Sequence, residues 1–334
     1  MSEITRKLKS LAADRPLIWK SIKKAQEIKY GVQYHHYYGK YSTSKASVTE
    51  INLEFSSSCN LRCKFCALDH FKPKTYMTLE VLDSVFDNLL NDERFSRVKT
   101  INLHNGGETL MHPDRQKMLE RIKYYQLIFK ATEKPFPKIS MLTNGMLLRE
   151  NLAKEILALK VVDEVGFSLD GGSPEAFEDL RVNAKWEKFS KNVRDFIRLK
   201  REMQPQLKTF GISIIPKPNP LNNTWMHPDF KEITDLLDSV EYRRLHDWGG
   251  MVDIGEKQQV NKKGCEMLMR QMVVLPNGDI SVCCNDLNSQ GVVGNILKKG
   301  LYEIYKGDQR LRYVKLLNEG RKDELELCKG CVSF

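Results

Sequence analysis

From Val48 onward, short apolar runs alternate with longer amphipathic ones. Val48, Ile51, Leu53 and Phe55 alternate imperfectly with polar positions and predict a first strand over 48–55 that feeds a cysteine-rich loop. Thr78 reads as the N-cap of a helix whose Leu82, Val85, Phe86, Leu89 and Leu90 share one face. Further strands are predicted over 100–104, 138–142, 164–169, 208–215 and 241–246, separated by helical patterns such as 152–159, 189–203 and 230–237. Strands alternating with helices imply parallel βαβ units. Distinctive turns follow the strands: Asn105-Gly106-Gly107-Glu108, Thr143-Asn144-Gly145, Asp170-Gly171-Gly172, a Pro-rich turn over 216–220, and Asp247-Trp248-Gly249-Gly250. Such strand ends form the active-site edge of barrel-like α/β folds. Residues 1–45 precede this pattern as a basic, partly helical extension, with Leu17, Ile18, Ile22 and Ile28 loosely periodic before Tyr34-His35-His36-Tyr37-Tyr38.

At 334 residues, 41% hydrophobic and 29% charged, the chain has a globular composition. No apolar run approaches the roughly 20 residues of a membrane span. The N-terminal MSEITRKLKSLAADRPL has no hydrophobic segment before a cleavage site, so a cytoplasmic location is expected. The net charge of +10 could favour an anionic partner, but no basic run is interleaved with stacking aromatics. Solvated lysines and arginines are the reading, and it argues against nucleic acid.

The eight cysteines fall in two groups. In a reducing compartment, clustered thiols bind metal more often than they pair. Cys59, Cys63 and Cys66 form C-x3-C-x2-C and supply three ligands. His70 could complete a Cys3His zinc site; the alternative is a [4Fe–4S] cluster with one iron open. Cys265, Cys283, Cys328 and Cys331 follow with 17, 44 and 2 residues between successive members, a set that fits zinc or iron–sulfur. Asn277-Gly278 predicts a hairpin pairing 273–275 with 280–282. Cys284 is left over, as a packed thiol, an alternative ligand to Cys283, or a hydrogen-atom donor.

The C-x3-C-x2-C motif with Phe65 before its last cysteine, Gly106-Gly107-Glu108, Thr143-Asn144-Gly145 and Ser168-Leu169-Asp170-Gly171 resemble the radical S-adenosylmethionine (SAM) superfamily over roughly residues 48–334. Thr109 departs from the proline usual after the GGE motif. The resemblance implies an α/β fold: a partial (β/α)6 TIM-like barrel at 46–255, then a small SPASM/twitch domain at 256–334 built of a β-hairpin and a helix. It implies a SAM-binding [4Fe–4S] cluster on Cys59, Cys63 and Cys66, and one auxiliary [4Fe–4S] cluster on Cys265, Cys283, Cys328 and Cys331. Gly106, Gly107 and Glu108 would hold the methionine amino group of SAM. Ser168 would meet its ribose or carboxylate, Arg181 its carboxylate, and Asn144 either the cofactor or its own turn.

The implied chemistry is reductive cleavage of SAM to a 5′-deoxyadenosyl radical, with flavodoxin or ferredoxin as the low-potential electron donor and sensitivity to oxygen. The twitch spacing resembles an aminocyclitol alcohol dehydrogenase, so oxidation of a secondary alcohol of a small molecule is expected. Maturation or epimerisation of a peptide comes second, with Cys284 as hydrogen donor. His104, Arg244, His246, Asp247 and Trp248 near strand ends are candidates for holding a polar substrate, and His246 and Asp247 join Cys284 as catalytic candidates. Alternation puts Arg244 and His246 on one face of the sixth strand, and Arg243, Leu245 and Asp247 on the other. Residues 1–45 are read as a cap over the barrel mouth. A basic zinc protein contacting nucleic acid would explain the charge and the cysteines, but not the motifs recurring at successive strand ends.

Overall fold

Residues 16–41, 43–215, 226–244, 248, 250–253 and 263–331 are described by a computed structural model. After helix α1 (Pro16–Tyr41) come β1 (Glu50–Leu53), β2 (Arg62–Cys63), α2 (Leu79–Asn91), β3 (Thr100–Asn102), α3 (Arg115–Ala131), β4 (Lys138–Thr143), α4 (Glu150–Leu159) and β5 (Glu164–Ser168). Then follow α5 (Pro174–Leu180), β6 (Arg181–Val182), α6 (Trp186–Met203), β7 (Lys208–Ile215), α7 (Pro228–Asp235) and β8 (Ser239–Arg244). Strands β1, β3, β4, β5, β7 and β8 are neighbours in that order and all parallel, the expected six-unit partial barrel. Thr78 caps α2 by accepting from the Val81 N–H at 3.3 Å. Helix α3 was not among the sequence expectations. Its buried Met118, Ile122, Tyr125 and Phe129 keep helical spacing, but exposed Tyr124 and Leu127 blur the apolar stripe.

The C-terminal extension is larger than one hairpin and one helix. It contains α8 (Glu266–Arg270), β9 (Gln271–Val274), β10 (Asp279–Ser281), β11 (Val292–Asn295), α9 (Leu301–Lys306) and α10 (Asp308–Glu319). The hairpin is where Asn277-Gly278 placed it, with Ile280 opposite Val274 and Gly278 at φ +85. Strand β9 also runs parallel beside β1, pairing Ile51 with Met272 and Leu53 with Val274, so barrel and extension share one nine-stranded sheet. The boundary expected between 255 and 256 lies outside the described residues, as does the turn over 216–220.

Helix α1 packs on the extension. The Tyr34 hydroxyl donates to Asn318 Oδ1 at 2.8 Å, and a Cβ on Gly264 would lie 2.6 Å from the Tyr34 ring. The Tyr41 ring lies 5.2 Å from that of Tyr305, with Lys306 Nζ 4.0 Å from the Tyr41 ring centroid. No helix among the described residues is long and apolar enough to cross a membrane.

Sheet register separates the two faces of the barrel. Ile51, Ile101 and Ile139 are paired neighbours, fully buried on the helix-covered side. The alternate row, Asn52–Asn102–Ser140–Glu164, faces the lumen. Higher on the same face, Leu142 pairs with Gly166 and Gly166 with Phe210; a Cβ on Gly166 would sit 2.3 Å from the Phe210 ring. The rows continue through Ser168–Ile212–Glu241 and Ile214–Arg243. Arg243 therefore lies on the lumen face of β8.

Candidate cofactor and substrate site

The loop after β1 is held at both ends by backbone. Ser57 N–H donates to Thr75 O at 3.0 Å, and Met77 N–H to Phe55 O at 3.0 Å. Within it, β2 pairs with β6 as a two-residue ribbon that sets Cys63 opposite Arg181. Cys59, Cys63 and Cys66 are free thiols. Burial pushes Cys59 and Cys63 up to about 11 and raises Cys66 as well, and a neighbouring thiol adds to each shift. Leu61 N–H points at Cys59 Sγ at 3.5 Å, Asn144 Nδ2 lies 3.7 Å from it, and Arg181 Nη1 lies 3.9 Å from Cys63 Sγ. Among the described residues no three His, Cys, Asp or Glu side chains are drawn together at metal-ligating distance. The chemistry of the donor set nevertheless fits an iron–sulfur cluster. Three half-buried thiols that oppose one another's ionisation, with N–H donors aimed at sulfur, would become stable thiolates beside a cationic centre.

Gly106-Gly107-Glu108 docks on the same loop. A Cβ on Gly107 would fall 1.9 Å from Ser56 O, and Glu108 N–H donates to Ser58 O at 2.9 Å. The buried Glu108 carboxylate accepts from Leu110 N–H (3.1 Å), the Thr143 hydroxyl (2.8 Å) and Asn144 N–H (2.8 Å). Burial raises its pKa against those three donors, a penalty that a cation in contact would relieve. Asn144 joins the pieces, its Nδ2 also donating to Asn60 Oδ1 at 2.9 Å. Arg181, a residue of uncertain register in the sequence, is buried; its Nε donates to Asp170 Oδ2 at 2.6 Å, and its guanidinium lies 5.8 Å from the Phe65 ring centroid. Asp170 also accepts from the Ile214 N–H. Ser168 closes β5 on the lumen face. Trp248 Nε1 donates to Phe65 O at 2.8 Å. His246 and Asp247 lie outside the described residues, as does the Arg244 side chain.

The second cysteine group lies close enough for its members to feel one another's charge, though not at metal-ligating distance. Burial first, then the charges of Cys265, Cys283 and Cys331, raise Cys328. Cys283 hydrogen-bonds with Cys284, which holds Cys283 up and Cys284 down. Cys284 lies near Cys265 and Glu50, within this group rather than at the first.

Between the groups, sequence reasoning missed several polar residues. Glu54 accepts from Gly106 N–H at 2.8 Å and Asn105 Nδ2 at 3.3 Å; Asn105 Nδ2 also reaches Asp286 O at 3.2 Å. Asn288 donates from Nδ2 to Ala67 O (2.8 Å) and accepts from Asp69 N–H (2.9 Å). The only available signal for Glu54 was its position out of phase with the apolar Leu53 and Phe55. His104 continues the lumen row two residues past Asn102. Its Nδ1 is sealed from solvent and has no partner among the described residues. Burial, then the charge of Arg243 across the lumen, lower its pKa to about 4. Arg243 in turn donates to Glu241 Oε2 at 2.9 Å.

Comparison with known proteins matches residues 53–220, just over half of the chain, to the Radical SAM superfamily, and residues 265–332 to SPASM, an iron–sulfur cluster-binding domain. The S-adenosyl-L-methionine-dependent 2-deoxy-scyllo-inosamine dehydrogenase of Niallia circulans is 29% identical over 87 residues, 26% of this chain and 35% of that protein. The antilisterial bacteriocin subtilosin biosynthesis protein AlbA of Bacillus subtilis is 28% identical over 134 residues, 38% of this chain and 25% of that protein. The match thus spans about a third or less of either relative's length. The crystal structure of BtrN in complex with AdoMet and 2-DOIA shares the fold, with a TM-score of 0.54 at 19% identity over 86% of this chain and 93% of that one. The chain belongs to the radical SAM superfamily and carries a C-terminal SPASM domain, with SAM and [4Fe–4S] clusters, an auxiliary one included, as its cofactors.

Proposed function

We propose that this chain is a radical SAM oxidoreductase that oxidises a secondary alcohol of a small, hydroxylated metabolite to a ketone. The observation that carries the reading is the lumen: a polar row ending in the neutral imidazole of His104, whose Nδ1 has no partner among the described residues, facing Arg243. Family membership removes the alternative of a zinc protein acting on nucleic acid.

Cys59, Cys63 and Cys66 would hold the SAM-binding cluster, and Cys265, Cys283, Cys328 and Cys331 the auxiliary one. When bound, these groups would supply radical hydrogen abstraction at a substrate carbon and an outlet for the second electron. Glu108, fixed by three donors, would receive the SAM ammonium between Gly106-Gly107 and Asn144. Ser168 would meet the ribose, and Phe65 would lie against the cofactor. Asp170 fixes Arg181 beside Cys63, where the SAM carboxylate would bind. His104 would accept the hydroxyl proton as the carbonyl forms. A weak base suffices there, because an alcohol losing electrons at its carbon becomes strongly acidic. Arg243 and Glu241 would orient neighbouring hydroxyl or amino groups. A flavodoxin or ferredoxin would provide the first electron.

A second reading is maturation of a peptide. It is favoured by the likeness to AlbA and by the open wall at β8, where the Arg243 and Glu241 side chains are 47% and 54% exposed. One experiment separates the readings. Candidate alcohols deuterated at the carbinol carbon are incubated anaerobically with the reduced protein and SAM, with 2-deoxy-scyllo-inosamine as the first probe. Deuterium in 5′-deoxyadenosine together with a ketone product supports oxidation. Radical formation that draws hydrogen from a peptide, and from no carbinol, overturns it.

A further inference from the structure

The two cysteine groups are joined by a short polar segment over 283–288. Its centre is Asp286, fully buried, with no cationic partner on its carboxylate among the described residues. Oδ2 accepts from the Ser281 hydroxyl at 2.6 Å and from Gly291 N–H at 2.8 Å; Oδ1 accepts from Gln290 N–H at 2.8 Å and Asn288 N–H at 3.3 Å. Four donors on one carboxylate fix the backbone from the end of β10 to the start of β11, and Cys283 lies inside that stretch. Two contacts then leave the segment toward the barrel. Asn288 clamps the chain just past Cys66, with one amide atom on Ala67 O and the other on Asp69 N–H. The Asp286 carbonyl receives Asn105 Nδ2, one residue ahead of Gly106-Gly107-Glu108, and Lys72 Nζ caps Leu287 O.

We infer that Asn288 is a positioning residue through which the auxiliary cysteine group and the SAM site are energetically coupled: ordering the chain at Cys283 orders the Cys66 loop, and the reverse. This rests on the proposed assignment of the two cluster sites. The clamp acts at the outer part of the segment, beyond the Trp248 Nε1 bond to Phe65 O and the buried Leu68. Phe71, two residues past Asp69, is fully exposed, and the main-chain tie there is Phe71 N–H to Asp69 Oδ1 at 2.8 Å. Both Asn288 bonds are thus made to main-chain atoms three residues or fewer from Cys66, a ligand in the proposed assignment. Coupling through such contacts is reciprocal: if auxiliary iron strengthens SAM binding, SAM must protect auxiliary iron by the same factor.

The test is a double-mutant cycle on the anaerobically reconstituted full chain. Cys328→Ser removes one auxiliary ligand and Asn288→Ala removes the clamp. SAM affinity is read by calorimetry, and the state of the first cluster by the electron paramagnetic resonance of its reduced form with and without SAM. In the parent, Cys328→Ser is expected to weaken SAM about tenfold. In the Asn288→Ala background it should change affinity by less than about twofold. Asn288→Asp keeps the acceptor for Asp69 N–H but sets a carboxylate against Ala67 O, and should behave as the alanine variant does.

Reciprocity supplies a second measurement that needs no auxiliary variant. Added SAM should slow removal of auxiliary iron by a chelator in the parent, and not in Asn288→Ala. The inference is overturned if Cys328→Ser leaves SAM affinity unchanged, if it weakens SAM equally in both backgrounds, or if SAM protects auxiliary iron regardless of Asn288. A parent protein that binds iron at neither group, or binds no SAM, would instead overturn the functional reading itself.

Discussion

His104 shows how much one side chain's surroundings decide. The same imidazole on the surface would titrate near neutrality; here burial and Arg243 lower it from 6.5 to about 4. Between those two values the unfolded chain binds a proton that the folded chain refuses, so stability rises with pH across the window and falls on acidification. At pH 5.5 the loss relative to pH 7.5 is on the order of 1 kcal/mol from this group alone. His104→Gln removes the titration. Anaerobic urea unfolding at the two pH values should therefore show a difference smaller by about that amount in the variant than in the parent. Equal acid sensitivity in both would mean that His104 titrates alike in the folded and unfolded chain, so that its site does not hold it neutral. The sequence offered His104 only as a residue near a strand end, because nothing local announces a partner arriving from the far side of the barrel.

At the scale of elements, the seam between β9, β1 and β3 holds the extension to the barrel by side chains as well as by backbone. Asn52 Oδ1 accepts from Asn102 Nδ2 (2.9 Å) and Gln271 Nε2 (3.1 Å), while Arg270 Nη1 reaches Glu50 at 3.0 Å. Asn52→Leu would take the acceptor from half-buried Asn102 and leave buried Gln271 Nε2 only its longer bond to Glu50 Oε2 at 3.4 Å, and should cost about 1–2 kcal/mol. Adding Gln271→Leu should cost much less than its single effect, since one orphaned donor goes with it. Thermal or denaturant unfolding of the four proteins checks this, and strict additivity would show that the contact is idle. Most of the barrel was legible because period-2 apolar runs and glycine-rich strand ends survive in one dimension: the strand at 208–215 matches β7 residue for residue, and Thr78 caps its helix. The β2–β6 ribbon was not, because two residues carry no period, and Arg181 acquires its place only through pairing with Cys63. Strand β9 was foreseen as half of a hairpin; that its other edge would extend the barrel sheet depends on β1, some 220 residues earlier in the chain.

For the whole molecule, the first cysteine group lies in the loop that leaves β1 and Cys283 lies just past β10, two strands of one nine-stranded sheet, and helix α1 packs on the extension instead of standing apart from it. Sulfur chemistry on this frame makes a stoichiometric prediction. Two cubane clusters correspond to about eight irons and eight sulfides per chain. Replacing Cys59, Cys63 and Cys66 together by alanine should leave about four irons and abolish formation of 5′-deoxyadenosine, because the remaining group has four protein ligands and no open iron. Replacing Cys265, Cys283, Cys328 and Cys331 should also leave about four irons, but with SAM cleavage retained under a strong chemical reductant and ketone formation lost, since the second electron then has no outlet. Cys284 sharpens the comparison. It lies beside Cys283 and Cys265, so Cys284→Ser on its own should keep all eight irons if Cys283 is the ligand, and shed the auxiliary ones if Cys284 has taken its place. Iron and sulfide analysis of the three variants, set beside their 5′-deoxyadenosine yields, distinguishes these outcomes. Four irons in the parent chain would contradict a second cluster altogether.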